Sequence, residues 1–250
     1  ALKERGLALY GYQKDGVRWL SHRRGAGLFD EMGLGKTVQA LIAAPEGAPI
    51  LVVAPAAVKG VWQREARRWR PDIGWPRILT GRTSFRWPAP GQMFITNFDI
   101  LPEPETDGEG QHPTYRLPEW VGDPPEGLVL IFDECHALKN PQAKRTRSAR
   151  LLSARVRGLK GFAWGLTGTP MLNRAKELWH VLSVLGVAKE AYGDWKGFSR
   201  LFDYQTGEPR PEVADRLRVV SLMRRRLEVM PDLPTKTYRD ITVEIDSDTR

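Results

Sequence analysis

The stretch LFDEMGLGKTVQA, residues 28–40, decides how the chain is read. Leu28 and Phe29 read as the end of a buried strand, and Val38, Ala40, Leu41 and Ile42 as the start of a helix. Between them lies a turn carrying Gly33, Leu34, Gly35, Lys36 and Thr37. A glycine-rich turn between strand and helix is a place to hold phosphate. The glycines let backbone N–H groups converge on an anion, and the helix N-terminus adds roughly half a positive charge. In this reading Lys36 reaches the outer phosphates and the Thr37 hydroxyl ligates magnesium. The usual spacing of such a loop asks for glycine at position 30, where this chain has Asp30. The competing reading is a surface turn with a solvated lysine.

A second motif about a hundred residues on favours phosphate. The run LVLIF, residues 128–132, is the most strand-like in the chain, and Asp133 and Glu134 follow it at once. Asp133 at a strand end is placed to hold magnesium, and Glu134 beside it to orient or deprotonate an attacking water. A paired carboxylate in a solvated turn is the alternative, and it leaves Lys36 and Thr37 unexplained. Cys135 reads as a small buried residue. His136 stands beyond Glu134 and reads as a coupling residue rather than a base.

Working outward, residues 7–20 place Leu9, Tyr12, Gln13, Gly16, Val17, Trp19 and Leu20 at helix-like spacing. Gln13 is its notable polar member, because an amide can donate to and accept from an adenine edge at once. Residues 50–54 read as a strand ended by Pro55, and residues 58–69 as an amphipathic helix closed by Pro71. Residues 77–79, 93–96 and 161–166 are further strand candidates, and residues 241–245 alternate like a strand. Residues 177–185 have a helical pattern, and the chain reads as helices from there to Pro231, with a basic run Arg224-Arg225-Arg226. Residues 101–127 are rich in proline, glycine and acid without apolar period, and read as a surface excursion. Apolar strands alternating with amphipathic helices imply an α/β fold with a parallel sheet covered on both faces. In such sheets ligands sit outside the carboxyl ends of the strands. The turn at 33–37, Asp133-Glu134 and Thr167-Gly168-Thr169 all follow strand ends and should converge.

Composition limits the function classes. The 250 residues are 41% hydrophobic and 27% charged, enough to bury a core. No apolar run approaches the roughly 18 residues of a membrane span. The opening ALKERGLALY lacks a secretory apolar region. One cysteine rules out an internal disulfide, and with four scattered histidines it gives no zinc spacing. These features predict an intracellular protein without a membrane partner: cytoplasm or nucleoid in a prokaryote or virus, nucleus in a eukaryote. Net charge is +8, spread unevenly: residues 101–127 hold seven acids and one base, so the remainder carries +14. Such a balance suits a polyanion.

At this point the chain resembles the Swi/Snf-type ATPases, DNA-translocating motors of helicase superfamily two. Residues 9–20 resemble the family's adenine-reading Q motif, and DEMGLGKTVQA, from Asp30, its motif I, which accounts for Asp30 in place of glycine. VVAPAAVKGVWQREARRW, from Val52, resembles motif Ia, and ITNFDIL, from Ile95, motif Ib. DECHALKN, from Asp133, resembles motif II, and LTGTPMLN, from Leu166, motif III. LMRRRLEVMPDLPTK, from Leu222, resembles the stretch leading out of the first motor lobe. Three departures stand out: Cys135 and Ala137 replace the usual motif II residues, Ala56 stands where motif Ia is usually basic, and Leu172 replaces a glutamine.

The resemblance implies a RecA-like P-loop lobe that binds ATP and Mg2+. Gln13, Asp30, Gly33, Leu34, Gly35, Lys36 and Thr37 would hold the nucleotide, Thr37 and Asp133 the metal, and Glu134 would activate water. Lys59, Thr96, Asn97, His136, Lys139, Asn140, Thr167, Gly168 and Thr169 would contact double-stranded DNA through its phosphates or couple it to ATP. The expected division is a core lobe over 1–178, a helical insertion over 179–230, and a segment over 231–250 leading towards a second motor lobe. That second lobe would supply the arginines completing the ATP site, and a protein–DNA complex would be the remodelling target. Two alternatives stand beside this reading: a strand-separating or RNA-remodelling helicase of the same superfamily, and a non-hydrolysing, nucleotide-gated DNA-binding module.

Overall fold

The computed structural model describes residues 6–81, 83–107, 114–169, 175–203, 206 and 208–232. In chain order these form α1 (Gly11–Ser21), β1 (Gly25–Leu28), α2 (Lys36–Ala43), β2 (Ile50–Val53), α3 (Lys59–Trp69), β3 (Arg77–Ile78) and β4 (Met93–Thr96). There follow β5 (Glu105–Asp107), β6 (Thr114–Arg116), β7 (Val129–Asp133), α4 (Lys144–Gly158), β8 (Phe162–Leu166) and α5 (Ala175–Leu185). The described residues end with α6 (Ala188–Tyr192), α7 (Trp195–Ser199), α8 (Pro211–Val220), β9 (Ser221–Leu222) and α9 (Arg226–Val229).

One sheet runs β3-β4-β2-β7-β8-β1-β9, with parallel pairing throughout. The central strands are buried on both faces, so alternate residues enter two different cores. Val129 and Ile131 of β7 pack with Leu20 of α1, Leu41 of α2 and Trp62 of α3. Leu130 and Phe132, pointing the other way, pack with Leu152 and Val156 of α4 and Leu182 of α5. This is the RecA-like α/β architecture, with helices on both faces of a parallel sheet. Strands β7, β8 and β1 lie side by side, which brings the ends carrying Asp133, Thr167 and the glycine turn together. No helix among the described residues is long and apolar enough to cross a membrane.

The structure differs from the sequence reading in three places. Residues 7–10 are not helical: α1 begins at Gly11 because the Gln13 side chain accepts the Tyr10 N–H (3.1 Å) and ends the extended segment there. The excursion at 101–127 is anchored, with Leu101, Leu117 and Val121 buried in the main core and β5 and β6 forming a small antiparallel ribbon. Its apolar residues are single anchors and so show no period. Helices do occupy 179–230, but α5 packs directly against the sheet side of the core, and β9 re-enters the sheet beside β1. A two-residue strand between a helix and an arginine run leaves no periodic signal. The strand read at 241–245 lies outside the described residues.

Candidate active site

The glycine turn is built by its neighbours. Strand β1 ends at Leu28, the Phe29 N–H donates to the Leu222 carbonyl (2.7 Å), and the chain turns into α2. Gly33 and Gly35 have φ of 88° and 73°, a left-handed backbone that only glycine adopts without strain. A side chain on Gly35 would also place its Cβ 2.5 Å from Gln13 Nε2. Lys36 and Thr37 occupy the first turn of α2, half-buried. Lys36 Nζ donates to the carbonyls of Asp30 (2.7 Å) and Glu31 (3.3 Å). Burial pulls the Lys36 ammonium below its usual range, while the carboxylates of Glu134, Asp30 and Asp133 act against that shift.

Asp133 ends β7. Its Oδ2 accepts the indole N–H of Trp62 (2.7 Å), and its Oδ1 accepts the Glu134 N–H (3.0 Å). Burial pushes the Asp133 carboxyl up, and the Trp62 hydrogen bond opposes this. Glu134 follows with φ 48°, a left-handed backbone uncommon for a residue with a side chain. Such strain costs on the order of 1–3 kcal/mol and clusters at functional sites. Here it aims the carboxylate at two partners. Glu134 Oε2 lies 3.1 Å from His136 Nδ1 and accepts the Thr167 hydroxyl (3.3 Å). His136 Nδ1 is 3.0 Å from the same hydroxyl oxygen, which also accepts the Thr169 N–H (3.1 Å). The end of β8 thereby holds the carboxylate at the end of β7.

Residues expected along the same edge divide in two. Lys59 Nζ donates to Asn97 Oδ1 (3.0 Å) and to the Leu79 carbonyl (3.1 Å), joining α3 to the end of β4. Thr96 is buried beside Asn97, and its hydroxyl has no hydrogen-bond partner among the described residues. Gly168 fits because a Cβ there would come 2.9 Å from the Met32 side chain, so the loop after β8 abuts the glycine turn. Lys139 and Asn140 do not join the cluster. Lys139 Nζ pairs with Glu177 at 3.5 Å, and Asn140 Oδ1 accepts the Gln142 N–H (3.0 Å). Pro170, Met171, Leu172, Asn173 and Arg174 lie outside the described residues.

Asp30 faces inward rather than toward a ligand. It is 0% exposed, and its carboxylate accepts from the Arg224 guanidinium and from Gln39 Nε2 (3.2 Å). Gln13 is likewise occupied: its Nε2 donates to the Leu34 carbonyl (3.4 Å) while its Oε1 caps Tyr10. The sequence reading missed Arg224, Gln39 and Trp62. One signal pointed to Arg224: a carboxylate in place of glycine in a tightly packed turn demands a cation. Trp62 left no local signal, since its partner is 71 residues away.

These residues fit a Mg-nucleotide. The left-handed glycines and α2 N-terminus suit phosphate, and Thr37 and Asp133 are oxygen donors of the kind magnesium prefers. No group of three or more His, Cys, Asp or Glu among the described residues could hold a metal alone. A magnesium shared with phosphate oxygens needs only one or two protein ligands.

Known proteins resemble this chain over most of its length. The SNF2-related domain matches residues 12–250. An ATP-dependent helicase of Mycoplasma genitalium is 27% identical over 252 residues, covering 94% of this chain and 22% of that protein. The SWI/SNF-related matrix-associated actin-dependent regulator of chromatin subfamily A-like protein 1 of Xenopus tropicalis is 31% identical over 260 residues, covering 95% of this chain and 25% of that protein. The chain thus spans a quarter or less of the length of these relatives. The Sulfolobus solfataricus SWI2/SNF2 ATPase core, solved in complex with dsDNA, superposes with a TM-score of 0.68 at 23% identity, over 91% of this chain and 47% of that one. The chain belongs to the SNF2-related domain family of helicase-like ATPases.

Proposed function

We propose that this chain is the nucleotide-binding lobe of an ATP-driven motor that moves along double-stranded DNA. The observation that carries the reading is the meeting of the Lys36 turn with Asp133-Glu134 on strand ends flanking β8, with Thr167 hydrogen-bonded to Glu134 between them. Lys36 and the amides of the turn bind and orient the phosphates, and Gln13 contacts the adenine. Thr37 and Asp133 would hold magnesium, which when bound supplies positive charge between phosphate oxygens. Glu134 orients the attacking water and accepts its proton at a carboxylate oxygen. His136, Thr167, Gly168 and Thr169 couple that carboxylate to DNA held along the strand ends, where Lys59 meets the phosphate backbone and the buried Thr96 and Asn97 stand behind it. Lys139 and Asn140, which stand outside that cluster, contact DNA separately. Arginines of a second lobe neutralise charge on the transferring phosphoryl group, and a protein–DNA complex is the substrate of the remodelling step.

The net charge of +8 supports phosphate contacts rather than base reading. Each phosphate neutralised should then steepen log K against log salt by roughly 0.9 on duplex. Fluorescence anisotropy with labelled duplexes at rising salt tests this, and a flat response or a strong preference for one sequence would overturn it. Phosphate release by the 250-residue chain alone should be slow and little changed by duplex. The reason is that a supplied arginine is worth roughly 10³ to 10⁵ in turnover in related phosphoryl transfers. Vigorous duplex-stimulated release by this chain would refute the need for outside arginines. A triplex-displacement assay on a two-lobe form separates translocation from strand separation.

A further inference from the structure

The buried Asp30 carboxylate sits at the first position of the glycine turn, and the cation that satisfies it comes from the far end of the described chain. Arg224 Nε donates to Asp30 Oδ1 (2.9 Å), and one terminal nitrogen donates to Oδ2, a two-pronged pair that fixes orientation as well as distance. The same guanidinium donates to the Tyr12 carbonyl in α1 and to Gln39 Oε1 in α2 (2.8 Å). Gln39 in turn donates through Nε2 to the Leu34 carbonyl (3.0 Å) and to Asp30 Oδ2 (3.2 Å). One guanidinium therefore ties together the turn, both helices that flank it and the chain leaving β9.

The backbone repeats the connection. Glu31 N–H donates to the Arg224 carbonyl (3.0 Å), and Arg226 N–H donates to Glu31 Oε2 (2.7 Å). The Arg226 guanidinium donates to the Met32 carbonyl and lies 3.1 Å from where a Cβ on Gly33 would stand. Residues 222–226 are thus laced along residues 29–33.

We infer that Asp30, Arg224 and Gln39 form a latch that makes Arg224 a positioning residue for nucleotide binding and makes the segment from β9 to α9 respond to the nucleotide. The inference rests on the reading of the glycine turn as the phosphate site. Arg224 bonds Asp30 at the start of the turn and makes no hydrogen bond to Gly33, Leu34, Gly35, Lys36 or Thr37. It sets the direction of the Leu34 carbonyl through Gln39, and it compensates a carboxylate that cannot stay buried alone. When phosphate settles the turn, the hydrogen bonds of residues 29–33 to residues 222–226 are settled with it. The exit from the sheet through residues 222–226 is then ordered by the nucleotide.

The test uses the 250-residue chain, a fluorescent ADP with magnesium, and hydrogen exchange. Arg224→Gln should weaken nucleotide affinity by about tenfold or more, because it leaves Asp30 unpaired. Arg224→Lys, which keeps the charge and loses the fork, should fall between it and the unmutated chain. Arg224→Gln combined with Asp30→Asn should bind nucleotide more tightly than Arg224→Gln alone, because the second change removes the unpaired buried charge. In the unmutated chain, nucleotide should slow exchange of the amides of residues 221–229, and Asp30→Asn should abolish that slowing. A merely structural pair would lower the melting temperature and leave both affinity and exchange response intact, which overturns the latch. Additive affinity losses, or no exchange response in the unmutated chain, also overturn it. If Arg224→Gln does not fold, the near-isosteric Asp30→Asn and the exchange measurement decide. Failure of the unmutated chain to bind nucleotide would instead bring down the reading of the turn, and the latch with it.

Discussion

Replacing Trp62 with phenylalanine separates what the tryptophan does as a filler from what it does as a donor. Its side chain is 1% exposed between α3 and the sheet, and its indole N–H meets Asp133 Oδ2 at 2.7 Å. The smaller ring removes a few tens of Å³, which at ~24 cal/mol per Å³ costs about 1 kcal/mol. The lost hydrogen bond to a charged, buried acceptor costs about 1.5–3 kcal/mol more. Urea unfolding should therefore show a loss of about 2.5–4 kcal/mol. The chemical consequence is more specific. Burial already pushes the Asp133 carboxyl up, and the indole holds it down. Without the indole the carboxyl rises further, so protons compete with magnesium up to a higher pH. The apparent magnesium affinity of the nucleotide complex should fall in Trp62→Phe, and fall more at pH 6 than at pH 8. Fluorescent-nucleotide titrations at both pH values measure it. A destabilised variant whose magnesium dependence runs parallel to that of the unmutated chain at both pH values would refute the reasoning.

Three further outcomes are expected. Lys36→Ala should lose about 1.5–3 kcal/mol of nucleotide affinity, roughly 10- to 150-fold, and equal affinity in calorimetry would remove Lys36 from the phosphate site. Glu134→Gln should abolish phosphate release by a two-lobe form while nucleotide binding persists, and retained turnover would assign the water-activating role elsewhere. Asp72, hydrogen-bonded by the Arg70 guanidinium, is held down at about 2. A depressed carboxyl stabilises the fold above its unfolded value and loses that contribution as pH falls through the folded one. Asp72→Asn should thus cost about 1–2 kcal/mol at pH 7, after allowance for solvent screening, and much less at pH 2. An equal cost at both pH values in denaturant melts would count against the pairing.

What could be read from the sequence was what repeats locally. The strand at residues 93–96 emerged at its observed bounds because MFIT is apolar on both faces and flanked by turn residues. The glycine turn and Asp133-Glu134 stand out in the sequence for a different reason: the chemistry proposed for them asks for particular residues at fixed short spacings, which one sequence can display. Contacts that close over long separations display nothing. Asp30 and Arg224 are 194 residues apart, and the arginine sits in a run that composition alone reads as solvated charge. The anchors Leu101, Leu117 and Val121 were hidden by the same physics, since single apolar residues among acids and prolines satisfy no period.

The long-range contacts that escaped the sequence reading are also the ones that tie the halves of the site together. Lys59 and Trp62 stand three residues apart on α3, neighbouring positions on a helix surface. The first bonds Asn97 at the end of β4 and the second bonds Asp133 at the end of β7. Asn97 and the carboxylate proposed to hold magnesium are thus held by the same helical turn. On the opposite side, β9 reaches the glycine turn through Arg224. The two paths share no residue until Lys36, whose nitrogen bonds the Asp30 carbonyl while its charge is supported by Glu134 and Asp133. Lys36 is thus where the bonds running from β9 and the acids at the end of β7 meet.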